Sequence, residues 1–117
     1  MFLKQWVNFK SILYKLVCMP RIVLKVFISN DGISDLQVSF LKDLEGRFRG
    51  RAEFEYLNGK ENESLISKYK INAYPTIIIE CDGKEKERFV GLTQQLFLKK
   101  AIDRNLSGFR WNSIGIL

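Results

Sequence analysis

Apolar and polar positions change their period several times along the chain, and each change marks an element. Lys4, Asn8, Ser11 and Lys15 recur at spacings of 4, 3 and 4, with Trp6, Phe9, Leu13 and Leu16 around them. That stripe predicts a helix over 2–17, either docked on a sheet or, with its lysines, lying on a membrane surface. Residues 2–7 alone also fit a short strand, since Val, Phe and Trp suit both states. Met19-Pro20 breaks the pattern. "RIVLKVFIS" (21–29) then reads as a buried strand, β-branched and bounded by Pro20 and by Asn30-Asp31-Gly32.

A helix is predicted next over about 34–48, with Ser34 and Gln37 as a capping box. Leu36, Phe40, Leu41, Leu44 and Phe48 form its apolar face, and Gly46 and Gly50 mark its end. "RAEFEYL" (51–57) alternates, turning Ala52, Phe54 and Tyr56 one way as a strand. Asn58-Gly59 turns the chain into a short helix over about 62–70, with Leu65, Ile66 and Tyr69 inward. Tyr74-Pro75 opens a buried strand, Thr76–Glu80. Asp82-Gly83 is a type I′ hairpin signal, and 86–90 returns antiparallel. Thr93 is expected to cap a last helix, 94–106, carrying Leu96, Phe97, Ala101, Ile102 and Leu106. The tail at 107–117 keeps Phe109, Trp111, Ile114, Ile116 and Leu117, too apolar for a solvated end; it either covers a groove, joins the core or makes a dimer contact.

Strand-helix-strand units require a parallel crossover, and the hairpin adds antiparallel neighbours. The expectation is a mixed central sheet with helices on both faces, in a single domain over 1–117 with a core at 21–106. Composition agrees: 46% hydrophobic and 27% charged residues suit a globular chain able to bury a core. No apolar run approaches the ~20 residues of a membrane span. Lys4, Lys10 and Lys15 interrupt the N-terminal apolar stretch, so it does not read as a secretory signal.

The charge of +6 permits weak affinity for nucleic acid or acidic partners, but the basic residues form no dense run. Chemistry is restricted by what is missing. With no histidine and only Cys18 and Cys81, one chain cannot assemble a Cys/His zinc site, a Ser-His-Asp triad or a Cys-His pair. No metal or cofactor is therefore expected. The low cysteine count fits a reducing compartment, with a cytoplasmic location as the expectation.

The collinear order of "VLKVFIS", "LISKYKINAYPTIII", "DGKEKERFVG" and "LFLKKAIDRNL", from Arg21 to Leu106, resembles the thioredoxin family. The resemblance implies a thioredoxin-like three-layer α/β/α sandwich with a mixed four- to five-stranded sheet. It also implies a cis peptide bond before Pro75, which exposes the preceding backbone to an extended peptide. Asp31-Gly32-Ile33-Ser34 stand where the family carries Cys-Gly-Pro-Cys. Lys25 replaces the buried carboxylate that serves proton transfer, and Asn30 replaces the Trp before the first thiol. Lys25 either snorkels to an edge or pairs with a carboxylate.

The implied function is a non-catalytic module that binds protein or peptide in a groove lined by Asn30, Asp31, Gly32, Ile33, Ser34, Ala73, Tyr74, Pro75, Val90, Gly91 and Leu92. Descent alone supports the alternative, a thiol-disulfide oxidoreductase. A third reading is a rigid subunit of a larger, nucleic-acid-associated assembly. In the family's strand order Cys81 lies roughly 20 Å from Pro75 at about 3.3 Å per residue, at the same far pole as Cys18. Those two thiols either meet there or stay apart. Oligomeric state is left open.

Overall fold

The computed structural model describes residues 21–114, with side chains through Leu106. Four strands are present there: β1 (Ile22–Ile28), β2 (Ala52–Asn58), β3 (Thr76–Cys81) and β4 (Lys84–Val90). Three α-helices accompany them: α1 (Gly32–Arg47), α2 (Glu63–Tyr69) and α3 (Gln95–Ile114). The sheet order is β2-β1-β3-β4, with β1 and β2 parallel and β3 antiparallel to both its neighbours. The expected helix or strand at 2–17, and any fifth strand from it, lie outside the described residues.

Alternation along β1 sorts the core into two layers. Ile22, Leu24 and Val26 face one way with Ile77 and Ile79 of β3, under Leu41 and Leu44 of α1, its C-cap Phe48, and Leu98, Ala101 and Ile102 of α3. Phe27 and Ile78 face the other way with Ile71, under Leu65, Ile66 and Tyr69 of α2. The chain is therefore a three-layer α/β/α sandwich on a mixed four-stranded sheet. Truncating a fully buried Leu24 or Ile79 to Ala would cost about 2–5 kcal/mol.

The hairpin forms as its Asp-Gly signal requires: Asp82 and Gly83 both hold positive φ, at 53° and 82°. Asp82 also receives the Arg21 N–H on Oδ1 at 3.0 Å and donates its own N–H to the Arg21 carbonyl, tying the turn to the entrance of β1. β4 begins at Lys84, two residues before the expected 86.

Two helices depart from expectation. α1 starts at Gly32, because the Asp31 carboxylate caps it by accepting the Ser34 N–H at 2.7 Å. Ser34 and Gln37 are not a capping box; both are fully buried. The inward face runs Ser34, Gln37, Leu41, Leu44, Phe48, which leaves Leu36 44% exposed.

α3 starts at Gln95, since the Phe97 and Leu98 N–H groups bond the Gln94 carbonyl and Thr93 is held elsewhere. Leu96 and Phe97 face solvent while Leu98 is buried in their stead. The helix continues past 106 to Ile114. Lys25 pairs rather than snorkels: its ammonium lies 2.8 Å from Glu55 and 3.8 Å from the buried Glu80, which also accepts the Tyr69 hydroxyl at 2.7 Å. Burial and then the Glu80 hydrogen bond push Tyr69 up to about 12.

Candidate functional site

Phe27 pairs with Thr76, and Thr76 with Val90. The segments that follow β1, precede β3 and follow β4 therefore emerge at one end of the sheet. That end gathers Asn30–Ser34, Ala73–Pro75 and Val90–Leu92. Cys81 pairs with Ile22 at the opposite end, where burial and then the Asp82 charge raise its thiol pKa. Cys18 lies outside the described residues.

The turn after β1 is closed by its own polar groups. Asp31 accepts the Ser29 hydroxyl at 2.6 Å on Oδ2 and the Ser34 N–H on Oδ1, while Ser29 N–H donates to the Ser34 hydroxyl at 3.1 Å. The Ser29 hydrogen bond, then the Ser34 N–H, hold the Asp31 carboxyl below the usual carboxylate range. A helix N-terminus favours an anion, and here the anion is a carboxylate of the chain itself. Such a carboxylate is a weak base, and nothing at this turn carries sulfur.

At the same end of the sheet the Tyr74–Pro75 peptide is cis. The Pro75 carbonyl accepts the Gly91 N–H at 2.8 Å, and the Thr76 hydroxyl donates to the Ala73 carbonyl at 2.7 Å. Gly91 has φ +87°, a conformation that L side chains rarely adopt, which explains glycine there. The N–H and C=O of Tyr74 have no backbone or side-chain partner among the described residues. Ile33, Val90 and Leu92 border this strip at 55%, 64% and 45% exposure.

Sequence reasoning missed the residue that fixes one wall. The Gln37 amide accepts the Thr93 N–H at 2.7 Å and donates to the Thr93 carbonyl at 3.0 Å, clamping the Gly91–Thr93 loop to α1. The available signal was the 3-4-3-4 spacing from Ser34 to Phe48, which puts a polar residue on a buried face. Among the described residues no group of three His, Cys, Asp or Glu is placed to hold a metal ion. None of the described helices is long and apolar enough to cross a membrane.

The family model described as thioredoxin matches residues 36–104, more than half of the chain. The chain belongs to the thioredoxin family. The match begins just past the Asp31–Ser34 turn, so membership rests on the scaffold and not on that turn. A thioredoxin of Staphylococcus epidermidis is 32% identical over 66 residues, 56% of this chain and 64% of that protein. A Staphylococcus aureus thioredoxin is 30% identical over the same shares. The chain thus spans less than two thirds of the length of these relatives. Among solved structures, a Fasciola hepatica thioredoxin superposes with a TM-score of 0.68 at 26% identity, covering 82% of this chain and 93% of that one. A malaria-parasite thioredoxin gives 0.70 at 19% identity, covering 73% and 84%.

Proposed function

We propose that this thioredoxin-family chain is a non-catalytic, cytoplasmic module that binds an extended protein segment in the groove beside Pro75. One observation carries the reading: the α1 N-terminus is occupied by Asp31 and Ser34, while the Tyr74 backbone opposite has no partner among the described residues. Thiol-disulfide exchange requires a thiolate, and no cysteine lies between residues 19 and 80. A strand of the partner would pair with Tyr74, and Ile33, Val90 and Leu92 would supply apolar contacts.

Selection from a random peptide library tests this, comparing wild type with Ile33→Asp/Leu92→Asp. Both side chains are exposed, so the variant keeps its fold. The expected result is enriched peptides that bind wild type and lose about tenfold or more in affinity for the variant. Equal binding by both proteins, or no enrichment, would sink the groove. The names of the relatives support an oxidoreductase instead; dithiol-driven disulfide reduction abolished by Cys18→Ser or Cys81→Ser would establish that alternative. Steeply salt-dependent DNA binding would favour the third, nucleic-acid-associated reading.

A further inference from the structure

Three parts of the chain converge on the end of the sheet opposite the groove. Residues 1–20 join the described chain there, because Arg21 precedes β1 and its N–H is held by the Asp82 carboxylate at 3.0 Å. The α1–β2 turn at 48–51 closes at the same level, since Ala52 pairs with Ile22. α3 runs toward this pole as well: Arg104 and Asn105 reach Glu87 of β4. The helix then continues to Ile114, roughly 12 Å beyond Leu106 at about 1.5 Å per residue.

Charge is segregated in the same direction. All thirteen acidic residues lie between Asp31 and Asp103. Residues 1–20 therefore carry Lys4, Lys10 and Lys15 with no carboxylate, and 104–117 carry Arg104 and Arg110 with none. The end of α1 and its turn add Arg47, Arg49 and Arg51. Arg51 lies over the Phe48 ring and donates to the Arg47 carbonyl at 3.1 Å. The Arg47 and Arg49 guanidinium groups make no hydrogen bond or ion pair among the described residues. Glu53 is paired with Arg21 at 2.9 Å and Glu45 with Lys42 at 3.6 Å, while Asp43, one turn up α1 from Arg47, is exposed.

We infer that this pole docks on an anionic lipid surface, with the helix predicted over 2–17 lying among the headgroups. Lys4, Asn8, Ser11 and Lys15 fall within about 60° of a helix circumference at about 100° per residue. Off that stripe only Gln5 and Lys10 interrupt an apolar remainder that includes Trp6, Phe9, Leu13 and Leu16. One protein face covers only part of so wide an apolar surface. The acyl boundary of a bilayer takes nearly all of it, and the lysine stems carry their ammonium groups to the phosphates. Docking on this pole of its own fold would bring a helix of lysines without carboxylates against unpaired arginines; anionic headgroups neutralise both. Duplex DNA matches the charge but leaves the apolar face in water.

The test is flotation of the full chain with phosphatidylcholine vesicles, with or without about a third phosphatidylglycerol. The chain is expected to float with the anionic vesicles and not with the neutral ones. Arg47→Gln/Arg49→Gln, two exposed positions without partners among the described residues, should weaken binding about tenfold or more. In Trp111→Phe, which leaves Trp6 as the single indole, emission should move to the blue when anionic vesicles are added.

Binding to neither vesicle, equal binding to both, or no loss in Arg47→Gln/Arg49→Gln overturns the inference. A Trp6 emission already blue in the free chain and indifferent to vesicles assigns residues 2–17 to a protein surface, and overturns it too. Duplex DNA that binds more tightly than anionic vesicles, without moving Trp6 emission, makes the pole a nucleic-acid surface instead. Each outcome is read apart from the groove, whose peptides depend on Ile33 and Leu92 at the other end of the sheet.

Discussion

Gln37 touches no proposed ligand, yet both of its amide atoms engage Thr93 from a fully buried position. Gln37→Leu keeps the volume but leaves the Thr93 N–H and C=O unpaired in a half-buried loop. The expected loss is about 1–3 kcal/mol in urea unfolding, with faster hydrogen exchange at Thr93. Unchanged exchange would mean the loop is held by other contacts. Asp31 makes a pH-dependent contribution of opposite character. Its folded pKa is depressed, so its stabilisation is complete above the unfolded value of about 4 and disappears as pH falls through the folded one. Wild type should therefore melt a few degrees above Asp31→Ala at pH 6, and the gap should close on acidification. Asp31→Asn, which retains a capping oxygen, should fall between them with no such pH dependence. A gap that persists at pH 2 would assign the effect to something other than the ionised cap.

Elements were legible where local signals agreed, and illegible where tertiary partners chose. β1 and β3 are continuous β-branched runs bounded by breakers, so their placement followed directly from the pattern. The phase of α1 did not, because Ser34-x-x-Gln37 satisfies the capping-box spacing while adjacent Leu36 offers an apolar alternative. Only the distant Thr93, which Gln37 binds, turns Gln37 inward and Leu36 out. At α3 three consecutive apolar residues, Leu96 to Leu98, leave periodicity without a vote; packing on the sheet chose Leu98. That Asn30–Ser34, Ala73–Pro75 and Val90–Leu92 emerge at one end of the sheet was readable from collinear spacing, whereas the seat of the Tyr74 ring depends on Gly59, distant from it in sequence. Lys25 shows the same dependence between strands, since its partners lie on β2 and β3. Lys25→Met would strand the buried Glu80 with only the Tyr69 hydroxyl. The expected cost is about 3 kcal/mol, at the low end for breaking a buried pair because Glu55 remains open to solvent. Lys25→Met/Glu80→Gln should recover most of it. A neutral single variant would show the ammonium to be solvated rather than paired.

At the scale of the molecule the sheet has two differently equipped ends. One brings together a helix N-terminus, exposed apolar side chains and the Tyr74 backbone, which has no partner among the described residues, and none of those residues places sulfur there. The other holds Cys81 with its thiol pKa raised, roughly 20 Å away at about 3.3 Å per residue. If only the sulfur has been lost, returning it should return thiolate chemistry. In Asp31→Cys/Ser34→Cys the thiol at position 31 inherits the α1 N-terminus and the Ser29 hydroxyl that now donates to the carboxylate. It should titrate below about 8.5, the value of an unperturbed cysteine. The variant should also reduce a small disulfide with dithiol as electron source, where the parent chain does so no faster than background. The turnover should stay low, because Lys25 on β1 offers no carboxylate for proton transfer. A folded double variant whose thiol titrates normally and turns nothing over would show that the scaffold around the α1 N-terminus, and not only its two side chains, has moved away from electron transfer.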